Sequence, residues 1–302
     1  MTRSAVFAGL CTVDHFFYND AMPAENEKTR SVGYDCDAGG PAFNAAVTYC
    51  ILGGSARFAG NLGQGGNSEI IRAVARKFGL EVLALSNDPQ QKPATAAIGI
   101  NNRTGSRTVW SFQPESVTVV DGPAAIDPAG NNCLVLDGHV MPVALRMARE
   151  ARKQGLPVLL DAGSWKPGFE SLLPLCTCVI ASSGFRCPGD ESPIDYIGSL
   201  GVQEVAISRN ELPIHYRLNG KEGQIPVEPV VAVDTLGAGD VLHGAFAYFR
   251  YGRGMEFCEA LTLASRVSTR SVQFRGARDG VVAFQTEPEA GMVPSGLRQA
   301  LE

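Results

Sequence analysis

The sequence lacks the charge that nucleic acid or a membrane surface would call for. Its 26 Lys and Arg are outnumbered by 31 Asp and Glu, giving a net charge of −5 at pH 7. An acidic surface offers no electrostatic footprint to a phosphate backbone or an anionic bilayer, so neither partner is expected. No apolar run reaches the roughly 18 residues of a membrane span, and Met1 to Leu10 leads into a strand pattern instead of a signal-peptide core. A soluble, cytoplasmic setting is therefore predicted. The eight cysteines, at 11, 36, 50, 133, 176, 178, 187 and 258, form no CxxC pair and read as reduced core thiols. Cys176 and Cys178 alternate in an expected strand, which would turn their side chains the same way. The four histidines, at 15, 139, 215 and 243, have no metal-ligand spacing and carry no catalytic assignment.

Two phosphate-binding classes are also missing. No Gly-x-x-x-x-Gly-Lys-Ser/Thr occurs, which excludes a P-loop NTPase. Gly60-Asn-Leu-Gly-Gln-Gly65 has its glycines in the reverse of the dinucleotide order and follows the second strand, not the first. What is abundant is apolar side chain, 45% of the residues against 19% charged, enough for a large core and wrong for disorder. Glycine is in excess too, 34 in 302 residues against the ordinary 7% or so, with no collagen period or linker to account for it.

Short Val/Ile/Leu runs alternate with helix-period segments, the pattern of βα units around a mainly parallel sheet. Strands are predicted at Ala5–Leu10, Ala56–Ala59, Val82–Leu85, Cys133–Asp137, Pro157–Asp161, Cys178–Ser182 and Glu204–Ser208. Helices are predicted over Pro41–Leu52, from a cap at Ser68 to Phe78, over Val143–Gln154, from Ala238 to Tyr251 and from Met255 to Phe274. Two segments break the rhythm. His15–Asp35 is polar with strand-like ends, and Thr95–Phe112 reads as a hairpin around Asn101-Asn-Arg-Thr-Gly-Ser106. They can share one small sheet only by meeting in space, where it would act as a lid. No repeat or linker splits the chain, so one domain over 1–302 is expected, with insertions at about 12–36 and 94–112.

The strongest chemical signal is Val233-Asp-Thr-Leu-Gly-Ala-Gly-Asp-Val-Leu-His-Gly-Ala-Phe246. Glycines at 237 and 239 let successive N–H groups close on an anion, and the helix that follows adds the positive end of its dipole. Asp240 falls in the first turn, where a carboxylate can take a proton from an incoming hydroxyl beside the amides that hold a transferring phosphoryl group.

Asp234-Thr-Leu-Gly-Ala-Gly-Asp240 resembles the C-terminal signature of the ribokinase family, the PfkB carbohydrate kinases. Gly9-Leu-Cys-Thr-Val-Asp14, Gly39-Gly40-Pro-Ala-Phe-Asn44 and Gly60-Asn-Leu-Gly63 resemble its N-terminal signature, and the similarity spans nearly the whole chain. The resemblance implies a ribokinase-like three-layer α/β/α fold with a mainly parallel central sheet and a small β-sheet lid. It also implies an ATP-dependent sugar kinase using Mg2+, with a monovalent cation as an option. Asp14, Gly40 and Asn44 would bind sugar hydroxyls, with Gly39 shaping the turn. Asp240 would be the base, with Gly237, Ala238 and Gly239 at the phosphoryl group and Thr235, Gly237 and Gly239 at the nucleotide. Gly105-Ser-Arg-Thr108 and Asp279-Gly-Val-Val282 resemble ketohexokinases, which puts Arg107 near the substrate and favours a ketose or ketose derivative. Lids of this kind allow a homodimer across a two-fold axis.

Two family segments are altered. Where Asn-x-x-Glu would organise magnesium-bound water, the chain reads Ala181-Ser-Ser-Gly-Phe-Arg-Cys-Pro-Gly-Asp-Glu191, so the metal ligands stay unassigned. The Thr/Ser-x-Gly-x-x-Gly turn at the nucleotide becomes Ser208-Arg-Asn-Glu-Leu-Pro213. These changes keep a catalytically weakened sugar-binding or regulatory protein open as an alternative. The aromatic run Phe16-Phe17-Tyr18 keeps open a nucleoside kinase.

Overall fold

A computed structural model describes residues 3–86, 88, 90–114, 129–189 and 191–287; residues 288–302 of the expected domain lie outside it. In chain order the elements are β1 (Ser4–Gly9), β2 (Thr12–Asn19), β3 (Gly33–Gly39), α1 (Pro41–Ile51), β4 (Ser55–Gly60), α2 (Gly66–Lys77), β5 (Glu81–Ala84), β6 (Ala94–Asn101) and β7 (Arg107–Phe112). There follow β8 (Cys133–Leu136), α3 (Met141–Lys153), β9 (Val158–Ala162), α4 (Phe169–Leu172), β10 (Cys178–Ser182), α5 (Pro193–Ser199), β11 (Glu204–Arg209), β12 (Leu212–Leu218) and β13 (Lys221–Ile225). The helices α6 (Ala238–Ala247), α7 (Phe257–Ser271) and α8 (Ala277–Gln285) complete the described chain.

The large sheet has the order β13-β12-β11-β10-β9-β8-β1-β4-β5, parallel from β5 to β11 and antiparallel at β12 and β13. Its central strands are apolar on both faces because each face is covered by helices. Ala5, Phe7, Cys133, Val135 and Leu159 enter a core with α1, α6 and α7, while Val6, Ala8, Leu134, Leu136 and Leu160 enter another with α3 and α5. This is the expected three-layer α/β/α arrangement around a mainly parallel central sheet. After β1 the chain builds outward through β4 and β5, then returns to the other side of β1 with β8, so the β1/β8 pair is the topological switch point.

The two segments that interrupt the α/β rhythm do meet. They form a separate sheet in the order β3-β2-β6-β7, in which β2 pairs antiparallel with β3 and parallel with β6 along eight residues, from Thr12↔Ala94 to Asn19↔Asn101. Three local expectations need correcting. The helix α2 starts at Gly66 after a positive-φ Gly65, so Ser68 is not its cap but lies buried in the first turn. Cys176 follows a short 3₁₀ turn that breaks strand alternation, so Cys176 and Cys178 enter opposite cores. The α-helix from Ala238 ends at Ala247 and continues as one π-turn to Gly252. All eight cysteines are unpaired thiols, five of them buried.

The contact that positions the site is the crossing of α1 and α6. A methyl group at Gly244 would fall 2.2 Å from the Ala45 carbonyl oxygen and 2.8 Å from Cβ of Thr48, so α6 lies directly on the backbone of α1. Where a helical glycine meets nothing, alanine adds about 1 kcal/mol of stability. At Gly244 the overpacking is expected to reverse that sign and cost about 1–3 kcal/mol. Gly244→Ala should therefore unfold at lower urea concentration than the parent; a raised midpoint would show that the two helices are not in backbone contact.

Candidate active site

The site is built at the C-terminal ends of the parallel strands, where open α/β sheets leave a crevice beside the switch point. Its buried floor is Asp137, just past β8 and 1% exposed. Its carboxylate accepts from the Leu10 N–H at 2.8 Å and the His139 N–H at 2.9 Å, and from the Ala42 N–H at 3.2 Å. Leu10 follows β1, and Ala42 is in the first turn of α1, where Pro41 has no N–H and the next one needs an outside acceptor. One side chain thus ties the exit of β1 and the start of α1 to the end of β8. Gly40 precedes the helix with φ 101°, and a Cβ there would meet the Leu10 carbonyl oxygen at 2.5 Å. Only glycine fits that close approach.

From this start α1 carries Asn44 to the cleft, and α6 brings Asp240 to meet it. The Asn44 amide donates to Oδ2 of Asp240 at 2.8 Å across 196 residues of sequence. Asp240 is half-buried as a residue, and its carboxyl is enclosed. Burial first, and then the charge of Asp161, push it up to about 7; the Asn44 hydrogen bond and the charge of His243 oppose the rise. Gly237 caps α6 in the left-handed region at φ 77°, and the N–H groups of the following turn point into the cleft end of the helix axis. The Ala238 N–H, one of the three expected amide donors, makes a long 3.4 Å contact to the Thr235 carbonyl.

The sugar-side candidates gather in one cleft. Asp14, Gly39 and Asn44 line it with Phe16 and Tyr18 of β2 and with Arg278 of α8. Asp14, Phe16 and Tyr18 share a face by strand alternation. Burial raises the Asp14 carboxyl, with Thr12 and Arg278 acting against it. Arg278 is the residue that sequence reasoning missed. It donates to Asp37 and to the Ala38 carbonyl on β3, and at 3.4 Å to Oδ1 of Asn44, so it links the smaller sheet to α1 and α8. Its neighbours Asp279 and Gly280 carried a signal; an arginine inside a helix does not announce what it will reach.

Arg107 stands in a second, adjoining cleft. It donates from β7 to Oγ1 of Thr235 at 3.3 Å and lies 3.9 Å from Asp234, with Tyr18 and Arg275 nearby. It therefore joins the nucleotide-loop candidate Thr235 and not the Asp14 cleft directly. Asp234 is fixed by the N–H groups of Leu236 and Gly276, at 2.9 and 3.0 Å. At the altered segments, the Ser182 hydroxyl donates to the Gly163 carbonyl and that of Ser208 to the Ala181 carbonyl, at the end of β10 and within β11. No group of three His, Cys, Asp or Glu side chains that could hold a metal occurs among the described residues.

A carboxyl raised to about 7 also costs stability. Since the folded value lies above the unfolded 3.8, the penalty is absent below about pH 4, grows as pH rises and is complete above about 7. Asp240→Asn removes it while keeping an acceptor for Asn44. That variant should resist urea better than the parent near pH 8, the gain shrinking as the pH is lowered toward 5; a pH-independent difference would contradict the raised value.

A family model described as pfkB family carbohydrate kinase matches residues 2–283. Ribokinase of Bacillus subtilis (strain 168) is 22% identical over 284 residues, covering 92% of this chain and 96% of its own length. Ketohexokinase of Mus musculus is 22% identical over 315 residues, covering 93% and 99%. The structure of Arabidopsis thaliana ribokinase complexed with ribose and ATP matches the fold with a TM-score of 0.74 at 20% identity, over 95% of this chain and 100% of that one. No helix of the described residues is long and apolar enough to cross a membrane. With a family model spanning 282 residues from 2 to 283, a glycine-lined helix start and a half-buried aspartate at its head, the chain belongs to the pfkB family of carbohydrate kinases.

Proposed function

We propose that this sugar kinase transfers the γ-phosphoryl group of ATP to a hydroxyl of a ketose or ketose derivative, with Asp240 as the base. The observation that supports this reading is the Asn44 to Asp240 hydrogen bond, since Asn44 lines the same cleft as Asp14 and Gly39. Asp14 and Asn44 orient the sugar hydroxyls. Asp240, ionised, takes the proton of the attacking hydroxyl, and the head of α6 with the Gly237 to Gly239 backbone faces the negative charge of the moving phosphoryl group. Arg107 and Thr235 stand where the nucleotide side meets the smaller sheet, whose closure would exclude water. Magnesium, arriving with the nucleotide, would neutralise phosphate charge. No protein ligand is assigned to it.

The two curated relatives are equally similar in identity, so the sugar class rests on the likeness of Gly105–Thr108 and Asp279–Val282 to ketohexokinases. A nucleoside acceptor is the second reading, favoured by Phe16 and Tyr18, which line the Asp14 cleft and could stack on a base. ADP release over a panel of ketoses, aldoses, their phosphates and sulfonates, and adenosine separates the two. Turnover with a ketose is expected; turnover confined to adenosine would replace the first reading by the second. Asp240→Asn should lower kcat by about 10²–10⁴-fold with sugar binding retained. Full activity in that variant would remove Asp240 from the chemistry. For the parent, kcat/KM should fall as the pH drops through about 7, because protonated Asp240 cannot accept a proton.

A further inference from the structure

Two carboxyl groups stand face to face where β2 runs beside β3. Asp14 and Asp37 are directly opposite in the antiparallel register of the two strands, and both line the cleft that Asn44 enters. Like charges so placed repel. The Asp14 carboxyl also lies against the β3 backbone, since a Cβ at Gly39 would collide with its Oδ2. Arg278 reaches them from α8, its side chain 15% exposed. Nη1 donates to Asp37, and Nη2 to the Ala38 carbonyl and, at 3.4 Å, to Oδ1 of Asn44, whereas Nε is buried without a partner. An arginine is always charged and has no acceptor, so the Asn44 atom that faces it must be the amide oxygen. That leaves Nδ2 for Asp240, which it meets at 2.8 Å. Turned over, the same amide would set its N–H against a guanidinium and its oxygen against a carboxylate.

We infer that Arg278 is a positioning residue for the acceptor site: it fixes the Asn44 amide with Nδ2 toward Asp240, and it supplies the positive charge that the facing carboxyl groups of Asp14 and Asp37 require. This role rests on Asp14 and Asn44 being the sugar side and deepens that reading. With Oδ1 taken by Arg278 and one Nδ2 hydrogen by Asp240, Asn44 has a single N–H left for a sugar oxygen, while Asp14, ionised, can only accept from a hydroxyl. Among the described residues of the cleft, the other cations are turned onto rings. Lys77, at the end of α2, lies 5.1 Å from the Phe78 ring, and Arg275, before α8, lies 5.1 Å from that of Tyr18. Burial first, and also Asp37, raise the Asp14 carboxyl, whereas Thr12, Arg278 and His15 lower it. From β6, Ala96 stands opposite Asp14 and brings no charge. Asp35 and Asp279 are exposed, and Asp234 is held by the Leu236 and Gly276 N–H groups.

The charge balance is readable without any sugar. With ¹³C-labelled aspartate, the carboxyl resonance lost in Asp14→Asn reports Asp14. In Arg278→Met it should titrate about half a pH unit or more above its midpoint in the parent, and Arg278→Lys should bring it back. An unmoved midpoint would overturn the inference. Should Arg278→Met not fold, Asp37→Asn reads the same balance: loss of the facing carboxyl should lower the Asp14 midpoint, and no change there would overturn the inference equally. In turnover, with the acceptor that gives the most ADP release in the panel, Arg278→Met should raise the acceptor KM about 10-fold or more and leave the KM for ATP within about two-fold. Arg278→Lys, which keeps the charge and loses the fork, should restore only part of that affinity. Equal losses for acceptor and ATP would reduce Arg278 to a structural tie and sink the claim. An unchanged acceptor KM in Asp14→Asn would instead remove Asp14 from the sugar side, leaving the titration to stand or fall by itself.

Discussion

The site depends on holding three carboxylates, Asp137, Asp161 and Asp240, at one end of a sheet whose strands are otherwise apolar on both faces. Ionised carboxylates leave water only when something replaces it. Each of the three is answered by different means. Asp137 receives backbone N–H groups from three segments, Asp240 receives the Asn44 amide, and Asp161 stands next to the ring of His243. The convergence couples β1, α1 and α6, because moving any of them would strand a buried carboxyl group.

That arrangement also separates two tasks by distance along the chain. The N-terminal segments, β2 and α1, bring groups suited to hydroxyls, while the loop before α6 brings amides suited to an anion. They are joined by the direct backbone contact of α1 and α6 at Gly244 and by one side-chain hydrogen bond. The smaller sheet is attached to both halves, by Arg278 to Asp37 and by Arg107 to Thr235. Its edge strand β7 leaves Val109, Trp110 and Phe112 exposed.

Much of this was legible in the residues. The period of the apolar runs marked β1, β4, β8, β9, β10 and β11 because a strand covered on both faces must be apolar throughout. The glycine-rich loop and Asp240 were legible because anion binding by backbone needs bare Cα atoms next to a helix start. The edge hairpin β12–β13 was not anticipated, although Asn219-Gly220 between its strands, both at positive φ, is a strong hairpin signal. Pro213 at its start argues against a strand and is tolerated because β12 accepts it at its beginning. Helix α5 was unmarked too, though Ser192-Pro193 is a common helix opening. The smaller sheet was foreseen as a meeting of two segments, but not that β2 would pair parallel with β6, since register between distant strands has no local code.

The sequence by itself determined the class of chemistry. An acidic, glycine-rich chain with no P-loop, carrying Asp234-Thr-Leu-Gly-Ala-Gly-Asp240 at a helix start, leaves few ways to hold a phosphoryl group. Those features are local, written within one loop and one turn. Tertiary structure alone decided the electrostatics: that Asp240 would be raised by burial and by Asp161, that Asn44 would come to it from 196 residues away, that Arg278 would cross to β3, and that both nitrogens of His243 would face carbonyls. Charge acts through space and through the loss of water, and neither quantity exists until the chain has folded.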